Sequence, residues 1–217
     1  FNRNNQNFDR IVSNGRSVQN LQSTSVNAIF QDNAGNLWLG TYGHGVLTVS
    51  KNSYAISLFQ NIMSENKTFA STLVNTFLED SRGNIWIGTD GNGIFKFDKT
   101  TRKFANYSTK NSGLRNDYIL SMIDDESGNL WLASWDGGLI KFNPKNESFS
   151  SFTTENSDIP GNKIYTVTKG KDKKIWLGSH YGGLILFEPS KNQFTSINKI
   201  SNDLGENTVN VVEPDSK

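Results

Sequence analysis

Hydrophobic residues in this chain occur in short runs separated by polar turns, without the three-to-four-residue spacing of a helix. Runs such as "LWLGT" at 37–41 and "IWIGT" at 85–89 are apolar on both faces, which indicates strands that are packed on each side. Turns such as "DNAGN" and "DSRGN" precede these runs. Aspartate can accept backbone N–H bonds in such a turn and glycine supplies a positive φ, so the pattern predicts hairpins of short antiparallel strands.

The same pattern recurs along the chain with a period of roughly 45 residues, which is typical of propeller blades. A tryptophan stands in a common six-residue frame in "GNLWLG", "GNIWIG", "GNLWLA" and "KKIWLG", and these frame tryptophans are Trp38, Trp86, Trp131 and Trp176. Each copy reads as four strands with no helical segment between them. We expect each tryptophan to fill the space between two blades, and the small residue two positions later to let the next sheet approach.

The repeat predicts an all-β chain, a β-propeller segment made of four-stranded antiparallel blades. Whole blades are predicted at residues 21–59, 69–107, 114–152 and 159–197. Residues 1–11 align with 142–152 and are interpreted as the last strands of a preceding blade, and residues 204–217 as the first strand of the next. The whole of 1–217 is therefore expected to be part of a larger propeller. In the fourth copy the turn departs from the pattern at Gly170, Lys173 and Lys174, so its hairpin is expected to differ.

The extended motif D-x-x-G-N-[LI]-W-[LI]-G-T, followed by a glycine pair and an apolar strand, resembles the two-component regulator propeller repeat. This resemblance implies the periplasmic sensor region of a hybrid two-component system, in an inner-membrane-anchored bacterial protein. It also implies an oligosaccharide ligand, a homodimer of the full-length protein, contact with the remaining blades of the same chain, and control of a histidine kinase outside this segment. Virginiamycin lyases carry a similar repeat, so a propeller lyase is an alternative. A purely structural propeller with its ligand site elsewhere is another.

Composition narrows the range of partners. The net charge is +1, so no basic surface for nucleic acid is expected. No apolar run approaches the roughly 20 residues of a membrane span, and no membrane contact by this segment is expected. The chain has no cysteine, which excludes disulfides and thiolate zinc sites within it.

Candidate binding residues lie in the loops between the second and third strands, "TYGHG", "TDGNG", "SWDGG" and "SHYGG". Their first and last positions repeat and their middles vary, as in a scaffold that carries changeable specificity. Aromatic, carboxylate, amide and imidazole groups at the tips suit a sugar, which offers C–H faces and hydroxyls. The predicted ligand-binding residues are Trp135, Asp136, Tyr42, His44, Asp90, Asn92, His180 and Tyr181, with Arg115, Asn116 and Asp117 as further candidates. The longer connections at 12–20 and 60–68 are expected to border the face on which these loops lie.

No catalytic residue, metal site or cofactor is predicted for this segment. His44 and His180 lie in different copies of the repeat, and zinc would need a third ligand close to both. The sequence has no Ser-His-Asp order, phosphate-cradling loop or carboxylate pair that spacing supports. The loop glycines are interpreted as a requirement of backbone geometry.

Overall fold

The protein, as a computed structural model, is described over residues 25–52, 56–59, 73–197 and 208–214. Within these ranges, sixteen strands form four sheets of four antiparallel strands each. The first blade contains β1 (Val26–Gln31), β2 (Leu37–Thr41), β3 (Val46–Val49) and β4 (Ile56–Phe59). The second contains β5 (Val74–Glu79), β6 (Ile85–Thr89), β7 (Ile94–Asp98) and β8 (Lys103–Tyr107). The third contains β9 (Ile119–Asp124), β10 (Leu130–Ser134), β11 (Leu139–Asn143) and β12 (Ser148–Phe152). The fourth contains β13 (Ile164–Lys169), β14 (Ile175–Ser179), β15 (Gly183–Glu188) and β16 (Gln193–Ser196).

Each sheet is a meander in which consecutive strands pair, and the predicted all-β propeller blades are thereby confirmed. The frame tryptophan lies on the second strand, so Trp38 pairs with Phe30 on one side and Thr48 on the other. Within the described ranges no α-helix is present, and Lys171–Lys173 forms a single 3₁₀ turn.

The hydrophobic core of the described residues lies between blades and forms three clusters, one for each pair of neighbouring sheets. Each of the first three frame tryptophans packs against a phenylalanine on the third strand of the next blade. The ring centroids are 5.4 Å apart for Trp38 and Phe97, 5.5 Å for Trp86 and Phe142, and 5.4 Å for Trp131 and Phe187. These three tryptophans are buried, so their predicted packing between sheets is confirmed.

The small residue two positions after the tryptophan permits close approach of the next blade's first strand. A Cβ atom on Gly40 would lie 2.6 Å from Val74 Cγ1, and one on Gly88 would lie 3.0 Å from Ile119 Cγ2. Since real Cβ atoms rarely come this close to another atom, a small residue is favoured there, as the sequence predicts. The third blade accommodates the methyl group of Ala133 in a fully buried position.

An aspartate links each of the first three turns to its tryptophan. Trp38 Nε1 donates to Asp32 at 3.1 Å, Trp86 Nε1 to Asp80 at 2.9 Å, and Trp131 Nε1 to Asp125 at 3.1 Å. Burial alone would raise the pKa of these three carboxyls, but the hydrogen bonds from tryptophan and from the turn asparagine lower each pKa below its ordinary value.

The fourth turn has a different conformation, as predicted from its sequence. Gly170 replaces the aspartate, and Asp172 and Lys173 are both left-handed, with φ of 56° and 61°. A Cβ at position 170 would lie 2.9 Å from the Trp176 ring, so the indole packs against the glycine backbone.

Several predicted boundaries fall outside the described residues: the strands at 1–11, the connections at 12–20 and 60–68, and the start of the blade at 21–59. No strand is assigned to residues 208–214, so the first strand predicted at 204–217 stays a prediction. Val209 N donates to Ser179 O at 3.0 Å, which places this segment beside the fourth blade. None of the described residues belongs to a helix with the length and apolar character needed to cross a membrane.

Candidate functional site

A buried hydroxyl closes each loop between the second and third strands of a blade. Thr41 Oγ1 donates to Gly45 O at 2.7 Å, and the same bond joins Thr89 to Gly93, Ser134 to Gly138 and Ser179 to Gly183, at 2.7, 2.9 and 3.1 Å. In the first three blades this hydroxyl also accepts a backbone N–H from within the loop. The two ends of each loop are thus fixed, and the residues between them project from the blade.

The glycine at the end of the loop is required by geometry at two positions. Gly138 has a φ of +73°, and a Cβ there would lie 2.0 Å from Phe152 O. Gly93 has a φ of +71°, and its Cβ would lie 2.2 Å from Tyr107 O. Both the left-handed backbone and the lack of space exclude a side chain.

The loops lie at the same end of the blades as the inter-blade connections, as predicted, and hydrogen bonds join the two. Gly93 N donates to Asp117 O and Gly138 N to Asn162 O, both at 2.9 Å, so the loops of the second and third blades are each bonded to the connection that leads into the next blade. His180 N donates to Lys163 O at 3.0 Å. This end of the molecule is therefore a continuous surface across neighbouring blades.

Four aromatic side chains meet on this surface between the third and fourth blades: Trp135, Tyr165, His180 and Tyr181, hereafter the aromatic cluster. Ring centroids of Trp135 and Tyr165 are 5.6 Å apart, those of Trp135 and His180 6.5 Å, and those of His180 and Tyr181 3.8 Å. Trp135 is 40% exposed and Tyr181 is 75% exposed. The cluster thus presents aromatic surface to solvent although its members contact one another.

Polar groups border the aromatic cluster. The ammonium of Lys163 lies 5.2 Å from the centre of the Trp135 ring, which is a cation–π geometry. Thr208 Oγ1 lies 3.2 Å from His180 Nδ1. Asp136 follows Trp135 in the loop and is exposed. Flat apolar faces beside donors and acceptors can stack on the C–H face of a sugar ring and bond its hydroxyls.

Of the predicted residues, the structure brings Trp135, His180 and Tyr181 together and leaves others apart. Tyr42 and His44 stay within their own loop, where His44 Nδ1 lies 3.1 Å from Tyr42 O. Asp90 forms an isolated bridge with Tyr118 of the third blade. The backbone of Asn92 is used in the fold, since its N–H donates to Thr89 and its carbonyl accepts from Asn106.

The further candidates in the connection after the second blade have largely structural contacts. Asp117 accepts from both the N–H and the hydroxyl of Thr109, and Asn116 Oδ1 accepts from Tyr118 N. Arg115 forms an exposed ion pair with Glu155 at 2.8 Å. These side chains shape the connection rather than the aromatic cluster.

Tyr165 and Lys163 were not identified from the sequence. Tyr165 follows the first apolar residue of β13, where the other described blades carry Asn27, Asn75 and Leu120. The variability of that aligned position was the available signal. The contact itself depends on the spacing between blades, which the sequence does not show.

Two further features concern metal-binding side chains and the position of the larger cavity. Within the described ranges no three potential metal-binding side chains are grouped together. The larger of two described cavities, about 470 Å³, lies between the third and fourth blades at the opposite end, among the turns. It is therefore separate from the aromatic cluster.

A family described as "Two component regulator propeller" matches residues 20–43, 68–91 and 113–136, which include the first three frame tryptophans. The copy around Trp176, whose turn differs, lies outside these matches. No curated protein matches the chain.

Solved structures share the fold. The extracellular domain of a Bacteroides thetaiotaomicron protein described as a hybrid two component system has a TM-score of 0.72 at 22% identity, over 86% of this chain and 25% of that one. A second B. thetaiotaomicron extracellular domain, described as from a one component system, has a TM-score of 0.65 at 23% identity, over 81% and 22%. Virginiamycin B lyase from Staphylococcus aureus has a TM-score of 0.64 at 13% identity, over 81% and 56%. The chain thus spans about a quarter of the length of the first two.

Proposed function

Because the chain carries two-component regulator propeller repeats, we propose that it is a ligand-sensing propeller segment of a hybrid two-component signalling protein. The ligand is an oligosaccharide, bound at the loop end of the blades. The segment itself performs no catalysis, and it lies in the periplasm of a bacterium as part of an inner-membrane-anchored chain. The likeness to extracellular domains of such systems supports this location.

The aromatic cluster is the observation that carries the proposal. Trp135 is exposed at a loop tip, while Trp131 already fills the frame position of the same blade. An exposed tryptophan beside tyrosine and histidine is unfavourable in water unless a ligand stacks on it. Asp136 and Lys163 supply charged hydrogen-bonding groups at its edge.

The signal arises because the ligand contacts more than one blade and so changes how the blades are arranged. The loop of the third blade is hydrogen-bonded to the connection entering the fourth, so a sugar held between the third and fourth blades favours one arrangement of them. Differential affinity for two arrangements is what shifts a population between them. The shift is passed, through a homodimer and the remaining blades of the full-length protein, to a histidine kinase outside this segment.

The test is a calorimetric titration of the intact sensor with a panel of neutral and acidic oligosaccharides. An aromatic stack is worth about 0.5–1.5 kcal/mol, so Trp135→Ala should weaken binding several-fold without a large fall in the melting temperature. Tyr42→Ala is the matched control, because Tyr42 is an exposed aromatic at the same loop position in the first blade.

The outcomes separate the alternatives. Unchanged affinity in Trp135→Ala would remove the aromatic cluster from the ligand site and favour a structural role for these blades. A loss in Tyr42→Ala alone would move the site to the first blades. A large fall in melting temperature for Trp135→Ala would show that this side chain serves the core.

A propeller lyase is the second candidate, since virginiamycin B lyase shares the fold and both histidines lie on loop tips. A lyase would use His180 or His44 as general base. Incubation with virginiamycin B, followed by chromatography, decides between the two: a sensor leaves the antibiotic unchanged. Turnover that is lost in His180→Ala would establish the lyase.

A further inference from the structure

The space between successive blades is filled differently in the first and third gaps, at the end of the molecule opposite the aromatic cluster. In the first gap, Lys99 extends from the turn after β7 towards the first blade. Its ammonium lies 3.1 Å from Asp32 Oδ2 and 2.8 Å from Glu79 Oε1. The first gap therefore contains an alkylammonium bound between two carboxylates.

The third gap keeps the aspartate but lacks a lysine equivalent to Lys99, and Lys169, which pairs with Asp124, stands where Glu79 stands in the first gap. Asp125 occupies the position of Asp32 in the repeat, and its Oδ2 accepts from Trp131 Nε1 as Asp32 Oδ2 accepts from Trp38 Nε1. Pro189 stands where Lys99 stands in the second blade. Proline has no ammonium, and a cavity of about 470 Å³ lined by both Asp125 and Pro189 remains.

The second gap also has a proline at this position, Pro144, but another contact crosses it. Tyr107 of the second blade donates its hydroxyl to Glu147 of the third at 2.8 Å. In the third gap the corresponding residue is Phe152, which has no hydroxyl to donate. Of the two described cavities, the larger lies in the third gap, and the smaller, about 350 Å³, lies in the first gap, where Lys99 is part of its lining.

The charges around the cavity favour a cation over an anion. Its lining includes five carboxylate residues and four lysines. Three lysines already pair with carboxylates: Lys169 with Asp124, Lys173 with Glu126 and Lys174 with Glu188, which also pairs with Lys191 outside the lining at 2.8 Å. The fourth, Lys141, lies over the Trp131 ring at 5.1 Å. No ion pair among the described residues involves Asp125 or Asp172, so the unpaired charge in the lining is negative.

The protonation state of Asp125 agrees with a preference for a cation. Burial would raise its pKa, but hydrogen bonds from Asn129 and Trp131 lower the pKa below its ordinary value. The group is thus a carboxylate at neutral pH. A carboxylate in a partly enclosed cavity is a strong acceptor for an ammonium donor.

We propose that the cavity between the third and fourth blades binds a small primary alkylammonium, with Asp125 as its carboxylate partner. The ligand takes the place that the Lys99 side chain occupies in the first gap: the ammonium at Asp125 Oδ2, and the alkyl chain along Trp131 and Pro189. This site is independent of the oligosaccharide site and lies at the other end of the blades.

The experiment uses butylamine, which reproduces the end of a lysine side chain, and butanol as its uncharged counterpart. In the intact protein with isotope-labelled tryptophan, the indole N–H resonance of Trp131 reports on Asp125 because the two are hydrogen-bonded. Butylamine should shift this resonance with a dissociation constant on the order of millimolar. The Trp38 resonance should not move, because Lys99 already occupies its carboxylate.

Two variants test the assignment. Asp125→Asn should weaken butylamine binding about tenfold or more, since an ammonium–carboxylate bond is lost. Pro189→Lys should fill the cavity from within, abolish the butylamine shift and raise the melting temperature. A shift caused equally by butanol would overturn the proposal, as would binding that survives in Pro189→Lys or a Trp131 resonance that butylamine leaves unchanged.

Discussion

The indole N–H is the polar group of a buried tryptophan that needs a partner, and here an aspartate six residues earlier accepts a hydrogen bond from it. The same carboxylate accepts the backbone N–H of the turn asparagine, for example Asn84 at 3.0 Å. One side chain therefore joins the shape of the turn to the packing of the blade interface. It also makes that interface sensitive to acid.

Asp80→Asn tests this sensitivity. Hydrogen bonds from Asn84 and Trp86 lower the pKa of Asp80 in the folded protein, against the opposing effect of burial. The carboxylate thus stabilises the fold above its unfolded pKa of about 3.9, and this contribution is lost as the pH falls through the folded pKa. We expect Asp80→Asn to flatten the fall in the free energy of unfolding below about pH 4, measured by urea unfolding at a series of pH values. An unchanged slope would contradict this role.

Two glycines with left-handed backbones provide a matched pair of substitutions. Gly128 has a φ of +80° and open space where a Cβ would lie, whereas a Cβ on Gly138 would meet Phe152 O. We expect Gly128→Ala to cost about 1 kcal/mol of unfolding free energy, from the backbone alone. Gly138→Ala should cost a further ~2 kcal/mol because the carbonyl must move. Thermal or urea unfolding of both variants measures the difference. Equal losses of unfolding free energy would show that the loop at Gly138 accommodates the methyl group without further destabilisation.

At the scale of the strand, the sequence predicted most of what the structure contains, because each blade repeats the same local chemistry. The turn, the strand that is apolar on both faces and the small residue after the tryptophan are local signals, and β2, β6, β10 and β14 lie where they place them. The different fourth turn was also visible, from Gly170 and the lysines that follow it.

The candidate site was predictable only in part, because contacts between blades are not local. The repeat placed Trp135, His180 and Tyr181 on loop tips, but their meeting depends on how the third and fourth sheets are spaced. Tyr165 joins them from a strand, where the loop pattern gives no signal. Tyr42 and His44 fit the same pattern equally well and remain in their own loop.

Burial of the second strand predicts how stable each blade is locally. All five residues of β6 and of β10 are buried, whereas Leu37 and Leu39 in β2 are only half-buried. Amides of β6 and β10 should therefore exchange with solvent about tenfold or more slowly than those of β2. Hydrogen exchange followed by mass spectrometry measures this order. Equal protection in the three strands would mean that the blades open together.

At the scale of the whole segment, the first blade presents an apolar face that its successors bury. Val26 and Ile29 are 43% and 72% exposed, while their counterparts in the second blade, Val74 and Phe77, are 0% and 8% exposed. At the other end, Trp176 is less buried than the three earlier frame tryptophans. Both faces have the apolar character of a sheet that packs against another blade. Exposed sheet faces of this kind promote association.

Ile29→Glu tests the consequence for the isolated segment. We expect the 217-residue chain to associate as its concentration rises, and the charged side chain to weaken that association, as measured by sedimentation velocity. Because Ile29 is largely exposed, its substitution should leave the melting temperature nearly unchanged. Thr101→Glu, which adds the same charge to an exposed turn of the second blade, is the control. A segment that is monomeric at all concentrations would contradict the expectation.

The hydroxyl that closes each loop has a consequence for how such a protein can diversify. Thr89 and Ser134 bond only to main-chain groups of their loops, so the closure is indifferent to which side chains stand at the tip. When a repeat is duplicated in the gene, the new copy inherits the same closure, and its tip can change within the limits that the left-handed backbone sets at Gly43, Gly91 and Tyr181. Mutations can then change ligand recognition in one blade at a time. A harmful substitution affects only a few exposed positions. A propeller assembled in this way can acquire a new specificity before it has lost the old one.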